Sequence, residues 1–329
     1  MIYPKWLKEN DMIGVTAPSA GAGEKRSEEM ALAYQHFKAA GFKVEETKSV
    51  RSDTEPSAPA PVRAAEWKAM AERDDIALIL LACGGDFLYE MLPYTELESL
   101  RAQPKWVQGF SDPTGLLFGI TTKLDIATIY GGNCTSFGMK NLHPSLQENI
   151  RLWKGELNAQ KSYAFYEAQR SEGTDGYNLT TPVNWKTPNG TVDVSGRLIG
   201  GCMESLLDLI GTPYEAARDF VTRYQADGCI WYFDIFALSA ESVYRGLLHM
   251  KAAGWFEGVK GFVFGRVLFP STDVYMTYED AIVGALGKDM PIVMEADVGH
   301  VNPRMTFVNG CMAHIKSNDG KGSVEYKFI

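Results

Sequence analysis

One short stretch places a hydroxyl between an aromatic residue and an acid: Gly109-Phe110-Ser111-Asp112-Pro113. The apolar lead-in Trp106-Val107 reads as the end of a strand. Pro113 reads as the first residue of a helix, where its missing N–H would be unpaired anyway. In the pattern G-x-S-x-G, such a strand-to-helix turn exposes a serine nucleophile above a parallel sheet. Here proline stands in the second glycine position. The turn therefore also fits an ordinary helix start, with Asp112 as the cap and Ser111 merely before it.

A nucleophilic serine needs a base, and the base needs an acid to orient it. Five histidines are available. His36 and His249 fall in helical patterns, His143 precedes Pro144, and His314 lies in a terminal strand pattern. His300 sits in the loop DVGHVNPRMT, just past a strand-like run, where catalytic groups concentrate. The candidate acid is Asp234, a single carboxylate inside the apolar run CIWYFDIF. Buried, it must be paired; it could instead mark an exposed strand end. Glu241, in the next helical pattern, reads as a solvated residue and is the substitute should Asp234 fall short.

A second turn, Cys83-Gly84-Gly85-Asp86, follows the buried run IALILLA. Backbone N–H groups at such a turn can cradle an oxyanion or a phosphate. It could also be a plain strand-to-helix turn with Asp86 as cap. The GxxxxGK[ST] phosphate loop is absent and no lysine lies in the turn.

The elements that must position these groups follow from the pattern. Residues 12–17, 42–46, 76–82, 107–110 and 126–130 read as strands, and 27–40, 63–73 and 114–123 as helices. Strand–helix alternation of this kind means right-handed crossovers and a mainly parallel sheet covered on both faces. Both glycine turns then open on one rim, outside the carboxyl ends of the strands, where ligands bind in such sheets. From 151 to 193 the pattern blurs into polar, turn-rich sequence with two tryptophans, Trp153 and Trp185, and reads as a linker between domains at 1–150 and 194–329. The second domain holds a strand followed by a Gly200-Gly201 turn and a short helix. Strands at 229–236, 261–267 and 291–296, a helix at 239–253, and a terminal hairpin turning at Asn318-Asp319-Gly320 complete it.

Composition narrows the function class. The chain has 329 residues, 45% of them hydrophobic and 22% charged, with a net charge of −9. An acidic chain without Lys/Arg blocks argues against a nucleic-acid or anionic-membrane partner. The N-terminal residues lack the pattern of a secretory signal, and no apolar run reaches about 20 residues, so a cytoplasmic protein is expected. The five cysteines are scattered, with no CxxC or Cys/His spacing suggestive of zinc.

Five segments in order, MIGVTAPSAG, LLACGGDFLYEMLPY, QGFSDPTGL, GRLIGGCMESLLDLIGTPY and VGHVNPRMT, resemble the LD-carboxypeptidase family of serine peptidases, which includes the microcin C self-immunity peptidases. The resemblance implies a flavodoxin-like N-terminal domain, a smaller swivelling β/α C-terminal domain, a homodimer, and no metal or other cofactor. It implies a triad of Ser111, His300 and an acid. The family has glutamate at the acid position, and here the matching residue is Asp234, one methylene shorter. It also implies an oxyanion hole from the backbone N–H groups of Gly85 and Asp112. The substrate would be a small muropeptide or an aminoacyl-nucleotide conjugate. Gly84, Arg304 and Trp185 are the expected substrate contacts, Trp185 by stacking on a base; Arg266 is an alternative partner for a substrate carboxylate. Two other readings stay open: a catalytically weakened binding or regulatory protein on the same scaffold, and a nucleotide- or phosphate-binding α/β enzyme using Gly84-Gly85-Asp86.

Overall fold

The computed structural model describes every residue except 172. Its strands are β1 (Met12–Thr16), β2 (Lys43–Glu46), β3 (Ile76–Leu81), β4 (Trp106–Gly109), β5 (Thr128–Tyr130), β6 (Ala159–Lys161), β7 (Phe165–Tyr166) and β8 (Thr181–Pro182), then β9 (Val192–Cys202), β10 (Cys229–Asp234), β11 (Val259–Gly265), β12 (Ile292–Ala296), β13 (Phe307–Asn309), β14 (Met312–Asn318) and β15 (Lys321–Lys327). Two large sheets result. The first has the order β13-β5-β4-β3-β1-β2, the second β12-β11-β10-β9-β14-β15-β6, and β7 pairs β8 alone. In the first, β1 to β5 are mutually parallel. In the second, β9 to β12 are parallel and β14, β15 and β6 antiparallel. This is the expected α/β architecture, a mainly parallel N-terminal sheet with a second sheet domain behind it.

The near-continuous apolar sequence of β3, IALILL, reflects burial on both faces of a helix-covered parallel sheet. The helix Thr114–Leu124 is buried along its whole length except Lys123. A helix apolar all round must be enclosed, and this one lies between the two sheets. Its first residue fixes the seam: Thr114 Oγ1 accepts a hydrogen bond from the Cys202 N–H at 2.9 Å. Gly201 makes the approach possible, since a Cβ there would press on the Thr114 side chain. Gly200-Gly201 is thus part of the strand β9, where a turn was expected.

Three further details differ from the sequence reading. The region 151–193 contributes β6 to the second sheet. The strand β13, from the C-terminal part of the chain, crosses back to pair antiparallel with β5, Phe307 opposite Tyr130. The helix Tyr278–Leu286 was not anticipated, although Thr277 and Asp280 form a capping box at its start. The terminal hairpin forms as expected, with Asp319 and Gly320 both at positive φ.

Candidate active site

Ser111 sits directly past the carboxyl end of β4 with φ of 70°. For a residue with a Cβ, the left-handed region costs roughly 1–2 kcal/mol, so the turn must be held from outside. Asn133 does part of this: its Oδ1 accepts the Phe110 N–H at 3.0 Å and its Nδ2 donates to the Phe110 carbonyl at 3.2 Å. The Ser111 N–H donates to the Tyr130 hydroxyl at 3.2 Å. Gly109 is required because a Cβ there would come within 2.8 Å of Pro113.

Asp234 is the last residue of β10 and is fully buried. His300 follows β12 by four residues on an adjoining loop. His300 Nε2 lies 3.0 Å from Ser111 Oγ, and His300 Nδ1 lies 2.9 Å from Asp234 Oδ1. Asp234 Oδ1 also accepts the His300 backbone N–H at 3.1 Å. With the carboxylate accepting, the Nδ1 proton points to Asp234 and Nε2 is left to accept from the serine. The imidazole is flanked by the rings of Phe110 and Phe236, with centroids 5.1 and 4.8 Å away. Gly299, at φ 98°, matters sterically, because any Cβ there would run into the Asp234 carboxylate. Burial pushes the Asp234 carboxyl upward, but His300, the Tyr130 hydroxyl and Arg304 outweigh it, and the net direction is down. The shorter acid therefore reaches the histidine, and Glu241 is not needed: its carboxylate holds Thr272, Asp273 and Val274 of a separate loop.

The glycine turn faces the serine. A Cβ on Gly84 would lie 3.1 Å from Ser111 Cβ. Gly85 has φ of 145° and packs against Ser19. Neither the Gly85 N–H nor the Asp112 N–H has an acceptor among the described residues. The Asp112 side chain does not cap its own helix, which has no side-chain cap. Its Oδ2 accepts the Leu88 N–H at 2.9 Å and the Ser19 hydroxyl, tying three loops together. Burial pushes this carboxyl up to about 6. Asp86 does not cap the helix Leu88–Met91 either; Asp112 meets that helix start from across the cleft.

A cleft of about 950 Å³ opens here, lined by Gly84, Gly85, Ser111, Asp112, His300 and Arg304 among others. Arg304 stacks its guanidinium 3.9 Å above the Phe110 ring centroid, donates from Nη2 to Asn302, and keeps a buried Nη1 with no partner among the described residues. Trp185 is not brought to this cleft. It is buried, packs over Gly322, and donates its indole N–H to Asp297 at 3.0 Å. Arg266 is likewise held away, paired with Asp297 at 2.7 Å. The residues that sequence reasoning missed are Asn133 and Tyr130. Tyr130 left a signal, a phenol ending the buried strand run ATIYGG, since a buried hydroxyl demands a partner.

The LD-carboxypeptidase N-terminal domain matches residues 13–131 and the LD-carboxypeptidase C-terminal domain residues 195–315. A putative carboxypeptidase of Vibrio cholerae is 27% identical over 100% of this chain and 99% of its own. The microcin C7 self-immunity protein MccF of Escherichia coli is 24% identical over 98% of this chain and 95% of its own. A solved structure of MccF with glutamyl sulfamoyl guanosine superposes with a TM-score of 0.83 at 22% identity, over 99% of each chain. The first domain match carries Ser111 and the second carries Asp234 and His300, and the chain belongs to the LD-carboxypeptidase family.

Proposed function

We propose that the protein is a serine peptidase or amidase of the LD-carboxypeptidase type. The observation that carries this reading is the unbroken chain from Ser111 Oγ to His300 Nε2 at 3.0 Å and from His300 Nδ1 to Asp234 at 2.9 Å. His300 takes the Ser111 proton as Oγ attacks an amide carbonyl. Asp234 holds the imidazole in the required tautomer and stabilises its cation. The N–H groups of Gly85 and Asp112 receive the oxyanion. His300 then protonates the leaving amine, and water releases the acyl group from Ser111.

The substrate is a small peptide or an aminoacyl-nucleotide conjugate, sized to the cleft. Gly84 allows the acyl group close to Ser111, and Nη1 of Arg304, without a partner among the described residues, meets its anionic portion. No tryptophan lines the cleft among the described residues, so base stacking on Trp185 is not part of the reading. The protein acts in the cytoplasm, as a homodimer.

A fluorophosphonate probe tests the nucleophile. Wild type labels and Ser111→Ala does not. Hydrolysis assays with an L,D-tetrapeptide and an aminoacyl sulfamoyl adenosine then separate the two substrate classes. A folded wild-type protein that neither labels nor hydrolyses either compound overturns the reading.

A further inference from the structure

We propose that Tyr130 is a positioning residue whose single hydroxyl registers the nucleophile of one sheet against the acid of the other and makes an aspartate sufficient in the triad. This inference rests on the serine-hydrolase reading above.

Tyr130 ends β5 and is buried. Its backbone is held on both sides, by Gly109 of β4 and Phe307 of β13. Its ring packs edge-on to Phe110 and tilted against Tyr232. The hydroxyl is therefore fixed in space, and it makes two bonds. It accepts the Ser111 N–H at 3.2 Å and donates to Asp234 Oδ2 at 2.6 Å. The direction is unambiguous, because an amide N–H can only donate and the phenol has one proton. Burial and the neighbouring Asp234 push the phenol well above its ordinary range, so the donor persists across working pH.

Asp234 is consequently gripped at both oxygens. Oδ1 takes the two His300 donors, and Oδ2 takes the Tyr130 hydroxyl at 2.6 Å while lying 2.9 Å from His300 Nδ1 as well. His300 meets the carboxylate on one side only, and the Tyr130 hydroxyl adds a second direction that fixes its plane. The shorter acid is aimed from behind by a phenol anchored in the nucleophile's own sheet. One oxygen thus sets the distance between two groups that arrive on separate sheets. Catalytic geometry is steep in such distances, with misplacement of about 1 Å losing roughly 100-fold in rate.

The test reads the second-order rate of fluorophosphonate labelling against pH, which needs no substrate. Asp234 is faced by His300, Tyr130, Arg304, the Cys202 thiol and the Tyr232 phenol, and His300 by Asp234 and Ser111. Only Tyr130 is altered. In Tyr130→Phe, Oδ2 loses the phenol donor and more carboxylate charge bears on the imidazolium. Labelling falls roughly 10- to 100-fold and its acid limb moves to higher pH. With 3-fluorotyrosine at 130, a nearly isosteric and stronger donor, the acid limb moves to lower pH. Opposite shifts from one position are not produced by loosened packing. If Tyr130→Phe fails to fold, the fluorotyrosine protein decides alone. Acid limbs at the wild-type pH in the folded variants overturn the proposal while leaving the serine-hydrolase reading intact. A wild type that never labels overturns both.

Discussion

Two carboxylates bracket the His300 loop, and both are wholly buried. Asp234 approaches from β10 and holds the imidazole. Asp297, three residues before His300, anchors the loop from behind. Its Oδ1 accepts Arg266 Nη2 at 2.7 Å, and its Oδ2 accepts the Trp185 indole at 3.0 Å and the Tyr163 N–H at 3.1 Å. Both must be compensated for lost hydration. They differ in the partner. Arg266 is a permanent cation set behind the cleft, so the Asp297 pair can only hold structure. His300 is an imidazole that faces Ser111, so the Asp234 pair can do chemistry. The charge balance differs as well. Burial dominates at Asp297 and pushes its carboxyl up despite Arg266. At Asp234 burial also pushes up, but His300, Tyr130 and Arg304 win and the direction is down.

The largest effect that could break this contrast is on rate. Asp234→Asn is expected to slow fluorophosphonate labelling on the order of 10⁴-fold, about 5 kcal/mol, by presenting a donor where His300 Nδ1–H needs an acceptor. Equal slowing in Asp297→Asn would erase the distinction. The next effect is on stability. Asp297→Ala strands Arg266 without its counter-charge, and removing one partner of a buried pair typically costs about 3–5 kcal/mol. Urea unfolding measures this, and labelling per folded molecule should stay within about tenfold of wild type.

The smallest effect concerns acid, and its sign differs between the two residues. Asp234 titrates below its unfolded value, so its contribution is present above about pH 4 and is lost as pH falls through the folded value. The stability deficit of Asp234→Asn should therefore shrink on acidification below about pH 4. Asp297 titrates above its unfolded value, so wild type gains as Asp297 takes up its proton, and the deficit of Asp297→Asn should widen as pH falls into that window. Both slopes are readable from thermal melts across pH. Parallel slopes would mean that the two carboxylates share one environment.

The serine turn was legible as a strand-to-helix turn because part of what shapes it is local, while the role of Ser111 came from the resemblance of five segments in order. Gly109 and Pro113 are needed for contacts within the turn itself. Gly299 next to His300 was legible as a motif, though its steric reason is not local, since the space it leaves is filled by Asp234. Asp112 was misread as the cap of its own helix. The Thr114 N–H there is satisfied by the Ser111 carbonyl at 2.9 Å, and the free carboxylate bonds Leu88 and Ser19 instead. Trp185 was misread as a cleft residue because a tryptophan in a polar segment resembles a platform. Gly322 of the terminal hairpin leaves the room that buries its ring, and the Gly320 carbonyl accepts its backbone N–H at 2.9 Å. The strand β13 was invisible because three residues carry no periodicity, and its pairing with β5 depends on chain brought from far away.

Sequence by itself determined what short-range sterics and alternation control: the parallel sheet, the serine turn, the glycine turn opposite it, and the histidine loop. Tertiary structure alone decided which carboxylate serves His300, because reach is a matter of how two sheets meet. It brought Asp234 within 2.9 Å of the imidazole, through a glycine without a Cβ and a tyrosine from the other sheet. It gave Asp297 the opposite task by placing Arg266 and Trp185 behind it. Aspartate is the same residue in both places, and only the packed surroundings separate an acid that can assist a reaction from one that holds a loop.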